Sequence, residues 1–239
     1  MDLLYLVLIA AIGSFIQTSS GIGYAILTMA LWPIFIPFRQ ASAVELITGF
    51  IMVIYILFRL SGRINFRLLL FPLISSVLLS TCGVFTLMSG TEVFLRRILG
   101  IFLLILSAYF IFFNGKIRIR PTRINGLIAG GLSGFFGGML GIGGPPIVIY
   151  LMSVTDDKIE FNATLQGYYI FSSISILILH LFMGNVTGGT LKYSAVVMLG
   201  VLAGTGAGIS LFKKLSMDTV KKLVNVFMAV AGIYLIITG

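Results

Sequence analysis

Two glycine-rich segments contain the residues best suited to bind a ligand. One is GMLGIGGPPIVIY at 138–150, and the other is QTSSGIGYA at 17–25. Glycines allow a tight turn and leave backbone N–H groups uncovered by side chains. Prolines such as Pro145 and Pro146 suit the first turn of a helix, where a missing N–H costs nothing. A helix that begins near Pro146 would direct its positive dipole end and free amides at the glycines, which is an arrangement that binds anions.

The composition places these two segments in a membrane protein. Of the 239 residues, 59% are hydrophobic and 10% are charged, whereas a soluble domain has about 25% charged residues. The mean hydropathy is +1.13. The net charge of +9 comes from Lys and Arg at the ends of apolar runs, which indicates positive-inside anchoring instead of nucleic-acid binding. The sequence therefore predicts an all-α polytopic membrane protein.

Six apolar runs are long enough to cross roughly 30 Å of hydrocarbon. The predicted spans are 42–60, 66–89, 96–114, 161–183, 190–212 and 219–238. Two further apolar segments, 3–38 and 123–155, contain the glycine breaks. The 36 residues of 3–38 would extend about 54 Å as one helix, which is too long for a single crossing. We therefore expect each broken segment to be a re-entrant hairpin that enters and leaves on the same side.

The second half of the chain repeats the first half at low identity. Residues 13–50, shifted by 120, fall on 133–170 without a gap, so that FIQTSSGIG lies over FFGGMLGIG. Further along, a shift of 125 places 96–112 over 221–237 and pairs a basic dipeptide and a tyrosine in each half. The shared order of glycine break, basic pair and tyrosine indicates duplication. We predict repeat 1 over 1–115 and repeat 2 over 116–239.

Charge counting indicates how the two repeats are oriented. If each broken segment crossed the membrane once, the 16 Lys and Arg would divide eight to eight. If each is a hairpin, twelve share one side, and the other side keeps only four: Arg39, Arg96, Arg97 and Lys192. The second division follows the positive-inside tendency.

The hairpin arrangement gives each repeat one hairpin and three transmembrane helices. Because three crossings are an odd number, the two repeats are inverted, and both termini lie outside. We expect the loops 59–67 and 115–123 to face the cytoplasm and 38–42 to face outward. Inverted repeats with broken helices at their interface are typical of secondary transporters.

The two hairpin tips should meet near mid-membrane and bind an anion between them. The candidate substrate-binding residues are Gln17, Thr18, Ser19, Ser20, Gly21, Gly23, Gly141, Gly143, Gly144, Pro145 and Gln166. A side chain at Gly143 or Gly144 would fill the site and penalise any positive φ there, so Gly143→Val should remove transport from a protein that still folds. The alternative is that the glycines serve close helix packing of the GxxxG kind.

Other polar residues within the apolar runs are few. An intramembrane carboxylate is a functional-site hypothesis in its own right, so Glu45 is a candidate coupling residue. The alternative is that Glu45 complements the dipole at the start of its helix. The single His180 cannot form a multi-histidine metal site, and the single Cys82 cannot form an internal disulfide. We expect no metal, no cofactor and no catalytic residues, because no Ser/His/Asp set or metal-binding motif stands out.

The paired hairpins resemble those of the TauE/SafE sulfite-exporter family of membrane permeases. The resemblance rests on SSGIGYAILTMALWPIF and, more specifically, on GFFGGMLGIGGPPIVIYLM, and it extends to the closing KKLVNVFMAVAGIYLIITG. It implies a multi-pass protein of a bacterial inner membrane that moves sulfite, sulfoacetate or another small sulfur-containing anion. An anionic substrate agrees with the dipole argument at the hairpin tips.

These observations together predict a secondary transporter, an exporter that works by alternating access. An anion channel built on the same broken helices is the alternative, and saturable, gradient-coupled flux would distinguish the two. The expected partners are the small anion, the lipid bilayer and a coupling proton or sodium ion. No nucleic-acid partner is expected, and the sequence leaves the oligomeric state open.

Overall fold

The computed structural model of the chain describes residues 2–60, 63–113, 119–211 and 217–239. For residues 19, 20, 60, 211 and 217–221 it describes the backbone only. Parts of the loops 59–67 and 115–123 lie outside the described residues. So do four of the cations in the charge count, which are Lys116, Arg118, Lys213 and Lys214.

The described part of the chain is helical throughout, which confirms the predicted all-α class. Its ten α-helices are α1 (Asp2–Ser20), α2 (Tyr24–Leu31), α3 (Phe38–Leu60), α4 (Phe66–Ser89), α5 (Glu92–Phe112), α6 (Arg123–Leu140), α7 (Gly144–Val154), α8 (Lys158–Phe182), α9 (Gly188–Leu211) and α10 (Met217–Thr238). A short 3-10 turn, Trp32–Ile34, follows α2. Five of the described helices, α3, α4, α5, α8 and α9, are long and apolar enough to cross a membrane.

The six predicted spans correspond to α3, α4, α5, α8, α9 and α10, with the largest differences at helix starts. Helix α5 begins at Glu92 and not at 96, because the Thr91 side chain accepts a hydrogen bond from the Phe94 N–H at 3.2 Å. Helix α8 begins at Lys158 and not at 161, because Asp157 caps it in the same way. Capping residues are polar, so a prediction based on hydropathy begins the helix too late.

The first broken segment is a helical hairpin made of α1 and α2. The chain turns at residues 21–23, and α2 runs back along α1. Near the end of the hairpin, the Trp32 indole N–H donates a hydrogen bond to the Leu6 carbonyl at 3.3 Å. The rings of Tyr5 and Phe35 stack with their centroids 5.6 Å apart. The chain therefore returns to the level at which α1 begins.

The second broken segment, α6 and α7, also starts and ends at one end of the helix bundle. At its start, the Arg123 guanidinium lies 5.4 Å from the centre of the Phe71 ring. Just after its end, Glu160 accepts a hydrogen bond from the Asn65 side-chain amide at 2.7 Å. Because Asn65 and Phe71 both lie at the beginning of α4, the segment returns to the end of the bundle from which it started.

Glycines spaced four apart let α6 pack directly against the backbone of α4. A Cβ added at Gly130 would lie 2.0 Å from the Pro72 carbonyl oxygen, and one added at Gly134 would lie 2.3 Å from that of Ser76. Both distances are shorter than any real Cβ contact. For these glycines the close-packing interpretation is therefore the correct one.

Helix α9 uses its glycines in the same way against α1. A Cβ added at Gly200 would lie 2.3 Å from the Val7 carbonyl oxygen, and one added at Gly204 would lie 2.0 Å from that of Ala11. The α4–α6 and α1–α9 pairs are thus held at backbone-to-backbone distance. Each pair joins a hairpin from one half of the chain to a long helix from the other half.

Candidate functional site

The first hairpin tip is a glycine turn held together by one glutamine side chain. Gly21 and Gly23 have positive φ angles of 80° and 147°, which glycine adopts without strain. The Gln17 side-chain N–H donates to the Gly21 carbonyl at 3.0 Å, and the Gln17 side-chain oxygen Oε1 accepts from the Tyr24 N–H at 3.3 Å. Gln17 therefore links the end of α1 to the start of α2.

The second hairpin tip turns at Gly141, which ends α6 in the left-handed conformation with φ 74°. Helix α7 then begins at Gly144, and Pro145 and Pro146 fall in its first turn, as predicted. Gly143 has φ −90°. A positive φ therefore constrains neither Gly143 nor Gly144, because the left-handed residue of this turn is the helix-ending glycine Gly141.

Gly143 is constrained by the neighbouring helix of its own hairpin. A Cβ added there would lie 2.6 Å from the Ser133 carbonyl oxygen and 3.2 Å from the Gly137 Cα. The Ser133 hydroxyl also donates a hydrogen bond to the Gly143 carbonyl at 2.5 Å. A valine at this position would force α7 away from α6, so Gly143→Val cannot test binding separately from folding.

Gly144, the next residue, faces the first hairpin instead. A Cβ added there would lie 2.8 Å from the Tyr169 hydroxyl and 3.5 Å from the Ile22 Cγ2. The same Tyr169 hydroxyl donates a hydrogen bond to the Gly21 carbonyl at 3.3 Å. The structure thus brings the two tips together around Tyr169, as expected from the sequence.

A cavity of about 90 Å³ lies at the meeting point of the two tips. By the same measure a water molecule needs about 10–15 Å³, so the cavity has room for a small anion. Much of its polar lining comes from residues that carry a hydroxyl group: Tyr24, Ser42, Ser133, Tyr168, Tyr169, Ser172 and Ser173. Within the described ranges, no Lys or Arg lines it. An anion in this cavity would be bound by neutral donors instead of by a cation.

Most of the predicted binding residues contribute to this cavity. Those that line it are Gln17, Gly23, Gly141, Gly143, Gly144 and Pro145. Gly21 lies at the contact between the tips through its carbonyl. The side chains of Ser19 and Ser20 lie outside the described residues.

Two predicted residues lie away from the cavity. The Thr18 hydroxyl donates to the Ser14 carbonyl at 2.8 Å, and its Cβ lies 2.9 Å from where a Cβ on Gly208 of α9 would be. The Gln166 side-chain N–H donates to the Asn162 side-chain oxygen at 3.1 Å. Thr18 thus packs towards α9, whereas Gln166 bonds to a residue of its own helix α8, and the spacing of the sequence does not reveal either orientation.

Two tyrosines of the site escaped the sequence argument. In the 120-residue register, Tyr24 corresponds to Gly144, and Gly49 corresponds to Tyr169. A Cβ added at Gly49 would lie 3.6 Å from the Tyr24 ring, just as Gly144 faces Tyr169. Each half therefore places one tyrosine opposite one glycine, with the two positions exchanged. The alignment of the two repeats contains this signal, because it pairs Tyr24 with Gly144 and Gly49 with Tyr169.

The prolines make the second tip a poorer source of N–H groups than the sequence argument assumed. The first N–H groups of a helix have no partner within it, but neither Pro145 nor Pro146 has one to offer. Of the two first-turn residues of α7 that line the cavity, Gly144 has an N–H and Pro145 has none. In α2 the first N–H, that of Tyr24, is bonded to Gln17, and the next two residues, Ala25 and Ile26, line the cavity.

Glu45 lies in the wall of the same cavity. Its side chain is 8% exposed, and one carboxylate oxygen lies 3.5 Å from the Cβ position of Gly141 at the second tip. Helix α3 begins at Phe38, two turns before Glu45. The helix dipole acts within the first turn, so complementation of that dipole does not account for this carboxylate.

Two residues outside the cavity, His180 and Cys82, belong to types that can bind metals. His180 is buried, and its Nδ1 lies 3.1 Å from the Asn185 side-chain nitrogen. Cys82 is exposed on α4. Among the described residues, no group of three or more His, Cys, Asp or Glu could hold a metal ion.

Comparison with protein families assigns the chain to a class. The model of the family described as sulfite exporter TauE/SafE matches residues 6–235. The chain belongs to the TauE/SafE family. This match includes both hairpins and all the long helices of the TauE/SafE protein, which is accordingly a multi-pass membrane permease of the sulfite-exporter type. No match was found among curated proteins or among solved structures.

Proposed function

We propose that this TauE/SafE protein is a secondary transporter that exports a small sulfur-containing anion, such as sulfite or an organosulfonate. The anion binds between the two hairpin tips and is moved by alternating access. The observation that carries the proposal is the cavity at the meeting point of the tips, which is lined by hydroxyls and amides in a protein of the sulfite-exporter family.

Neutral donors are suited to an oxyanion that must bind and then leave. A hydrogen bond to a charged group contributes about 1.5–3 kcal/mol, so several hydroxyl and amide donors together can hold an anion without a cation. Ser42 on α3, Ser173 on α8 and the first-turn residues Ala25 and Ile26 of α2 line the cavity and would supply these hydroxyl and N–H donors. No Lys or Arg lines the cavity in the described ranges. The anion is therefore not bound so tightly that its release would be slow.

The inverted repeat is part of the proposal, with repeat 1 at 1–115 and repeat 2 at 116–239. The helix contacts support it, because the most extensive contacts have counterparts in the 120-residue register. Helix α4 packs on α6 as α9 packs on α1, and α4 packs on α8 as α9 packs on α3. We infer that the glycine-packed pairs move as rigid units, since sliding would break their backbone contacts. The tips between them then open to alternate sides.

The expected topology follows from the same repeat and can be tested by labelling. With both termini outside a bacterial inner membrane, Gly188 lies outside and Arg120 lies in the cytoplasm. In a Cys82→Ala background, Gly188→Cys should react with an impermeant maleimide added to intact cells, and Arg120→Cys should react only after permeabilisation. Labelling of Arg120→Cys in intact cells, with Gly188→Cys protected, would reverse the orientation.

The transport activity itself is tested in proteoliposomes with labelled sulfite, sulfoacetate, thiosulfate and sulfate. We expect saturable flux of at least one sulfur anion and competition by the others, because one small cavity binds them all. Counterflow, in which unlabelled anion inside accelerates the entry of labelled anion, would mark a carrier. Flux that rises in proportion to concentration without counterflow would support the channel alternative, and no flux of any anion would overturn the proposal.

A further inference from the structure

The cavity proposed to bind an anion also contains a carboxyl group. Glu45 is buried, and it lines the cavity between the tips, with its two carboxylate oxygens near the Cβ positions of Gly49 and Gly141. Neither of these glycines offers a side chain to bind the carboxylate. Glu45 is therefore a cavity-facing acid at the place where the substrate is proposed to bind.

The neighbours of Glu45 provide no positive charge. The titratable groups that line the cavity with it are Tyr24 from α2 and Tyr168 and Tyr169 from α8, and the second hairpin contributes glycines, Ile142, Pro145 and Ser133. No Lys, Arg or His lines the cavity in the described part of the chain. Nothing in this set can neutralise Glu45 when it is ionised.

An ionised Glu45 and a bound anion would repel each other strongly in so small a cavity. Two like charges a few ångströms apart disfavour the ionised form of the group that can take up a proton. Once protonated, the carboxyl group loses its charge and gains an O–H that can donate to the anion. Binding of the anion and protonation of Glu45 therefore favour each other.

We propose that Glu45 carries the proton that accompanies the anion, so that the protein is a proton–anion symporter with one proton per anion. This inference rests on the proposed function and adds its coupling ion. The Glu45 carboxylate takes a proton from water on the side to which the cavity is open, and it releases that proton on the other side after the anion leaves.

The stoichiometry follows from the asymmetry of the two halves. In the 120-residue register Glu45 corresponds to Leu165, so the duplicated position is apolar in the second half. The described lining of the cavity thus contains one carboxyl group. One proton moving with a singly charged anion leaves no net charge, so the export proposed above proceeds when the outward gradient of the anion exceeds the inward gradient of the proton.

The test uses purified protein in liposomes clamped at zero membrane potential with valinomycin and equal potassium. The probes are labelled sulfite and labelled thiosulfate, of which thiosulfate keeps its charge across the pH range. With the outside one pH unit more acidic, the wild type should accumulate the anion up to about tenfold, since one pH unit equals about 1.4 kcal/mol. Glu45→Gln, which imitates the protonated acid, should still exchange anion for anion but should not accumulate it.

The matched control is Glu92→Gln, the same change outside the cavity. Glu92 lies on α5, where its carboxylate accepts a hydrogen bond from the Phe38 N–H at 3.1 Å, and an amide oxygen can still accept it. Glu92→Gln should accumulate the anion like the wild type. If it fails as Glu45→Gln does, the loss is not specific to Glu45 and the inference is overturned.

Binding measured against pH provides a second readout if Glu45→Gln loses exchange altogether. In the wild type, the apparent dissociation constant of thiosulfate should increase about tenfold for each unit by which the pH rises in the range where Glu45 of the empty protein is ionised. This is the pH dependence that binding linked to one proton requires. A wild type that exchanges anions with pH-independent affinity, or a Glu45→Gln variant that still accumulates them, would overturn proton coupling and leave the transporter proposal standing. A wild type that exchanges neither probe nor any other anion of the panel would overturn both.

Discussion

Gly144→Val should lower transport by at least about a hundredfold in a protein that still folds, equal to about 2.7 kcal/mol. The added side chain would enter the space between the tips, where a Cβ already lies 2.8 Å from the Tyr169 hydroxyl and 3.5 Å from Ile22. The end of a tyrosine can move aside, so the clash does not force the hairpin apart. The anion loses its space, and Gly21 loses its hydrogen bond from Tyr169.

The measurement is anion exchange in proteoliposomes, combined with the midpoint of thermal unfolding in detergent. The matched control is Gly206→Val on α9, where an added Cβ meets nothing within 4 Å. Both variants should unfold within about 5 °C of the wild type, and only Gly144→Val should lose exchange. Exchange at the wild-type rate by a folded Gly144→Val protein would place the site elsewhere.

Gly134→Leu should prevent the protein from folding stably. Gly134 faces α4 across a contact in which even a Cβ would lie 2.3 Å from the Ser76 carbonyl oxygen. Backbone cannot move aside as a flexible side chain can, so α6 must separate from α4 along their whole interface. Overpacking a single core site costs about 1–3 kcal/mol, and a clash with backbone should exceed that range.

The expected result is a fall of about 10 °C or more in the unfolding midpoint, or protein that cannot be recovered as a monodisperse species in detergent. Leu132→Ala is a suitable control on the same helix, because Leu132 is 46% exposed. That variant should behave like the wild type. Wild-type stability of Gly134→Leu would mean that α4 and α6 are not packed as closely as the structure places them.

The two glycine variants differ for a reason that the sequence conceals. Gly134 and Gly144 belong to the same hairpin, and both lie in glycine-rich surroundings. From the sequence alone Gly143 and Gly144 are equivalent, although Gly143 lies against its own hairpin and Gly144 lies against the other one. The difference depends on neighbours from distant parts of the chain, such as Ser76 at one glycine and Ile22 at another.

The sequence by itself determined the helical membrane architecture, the positions of the two turns and the helices within about four residues. These features are local, because apolar length, glycine breaks and first-turn prolines act within a few residues of the chain. The length of the first broken segment and the distribution of charge also predicted that each broken segment turns back towards the end from which it starts.

Only the tertiary structure decided which polar groups face the cavity. Gln17 lines it while the nearby Thr18 turns to α9, and Glu45 faces it together with Tyr24 and Tyr169. Successive residues on a helix point in different directions by about 100°, so the orientation of each side chain depends on how the whole helix is rotated in the bundle. That rotation is set by the backbone contacts of α4 with α6 and of α1 with α9, which join segments far apart in the chain.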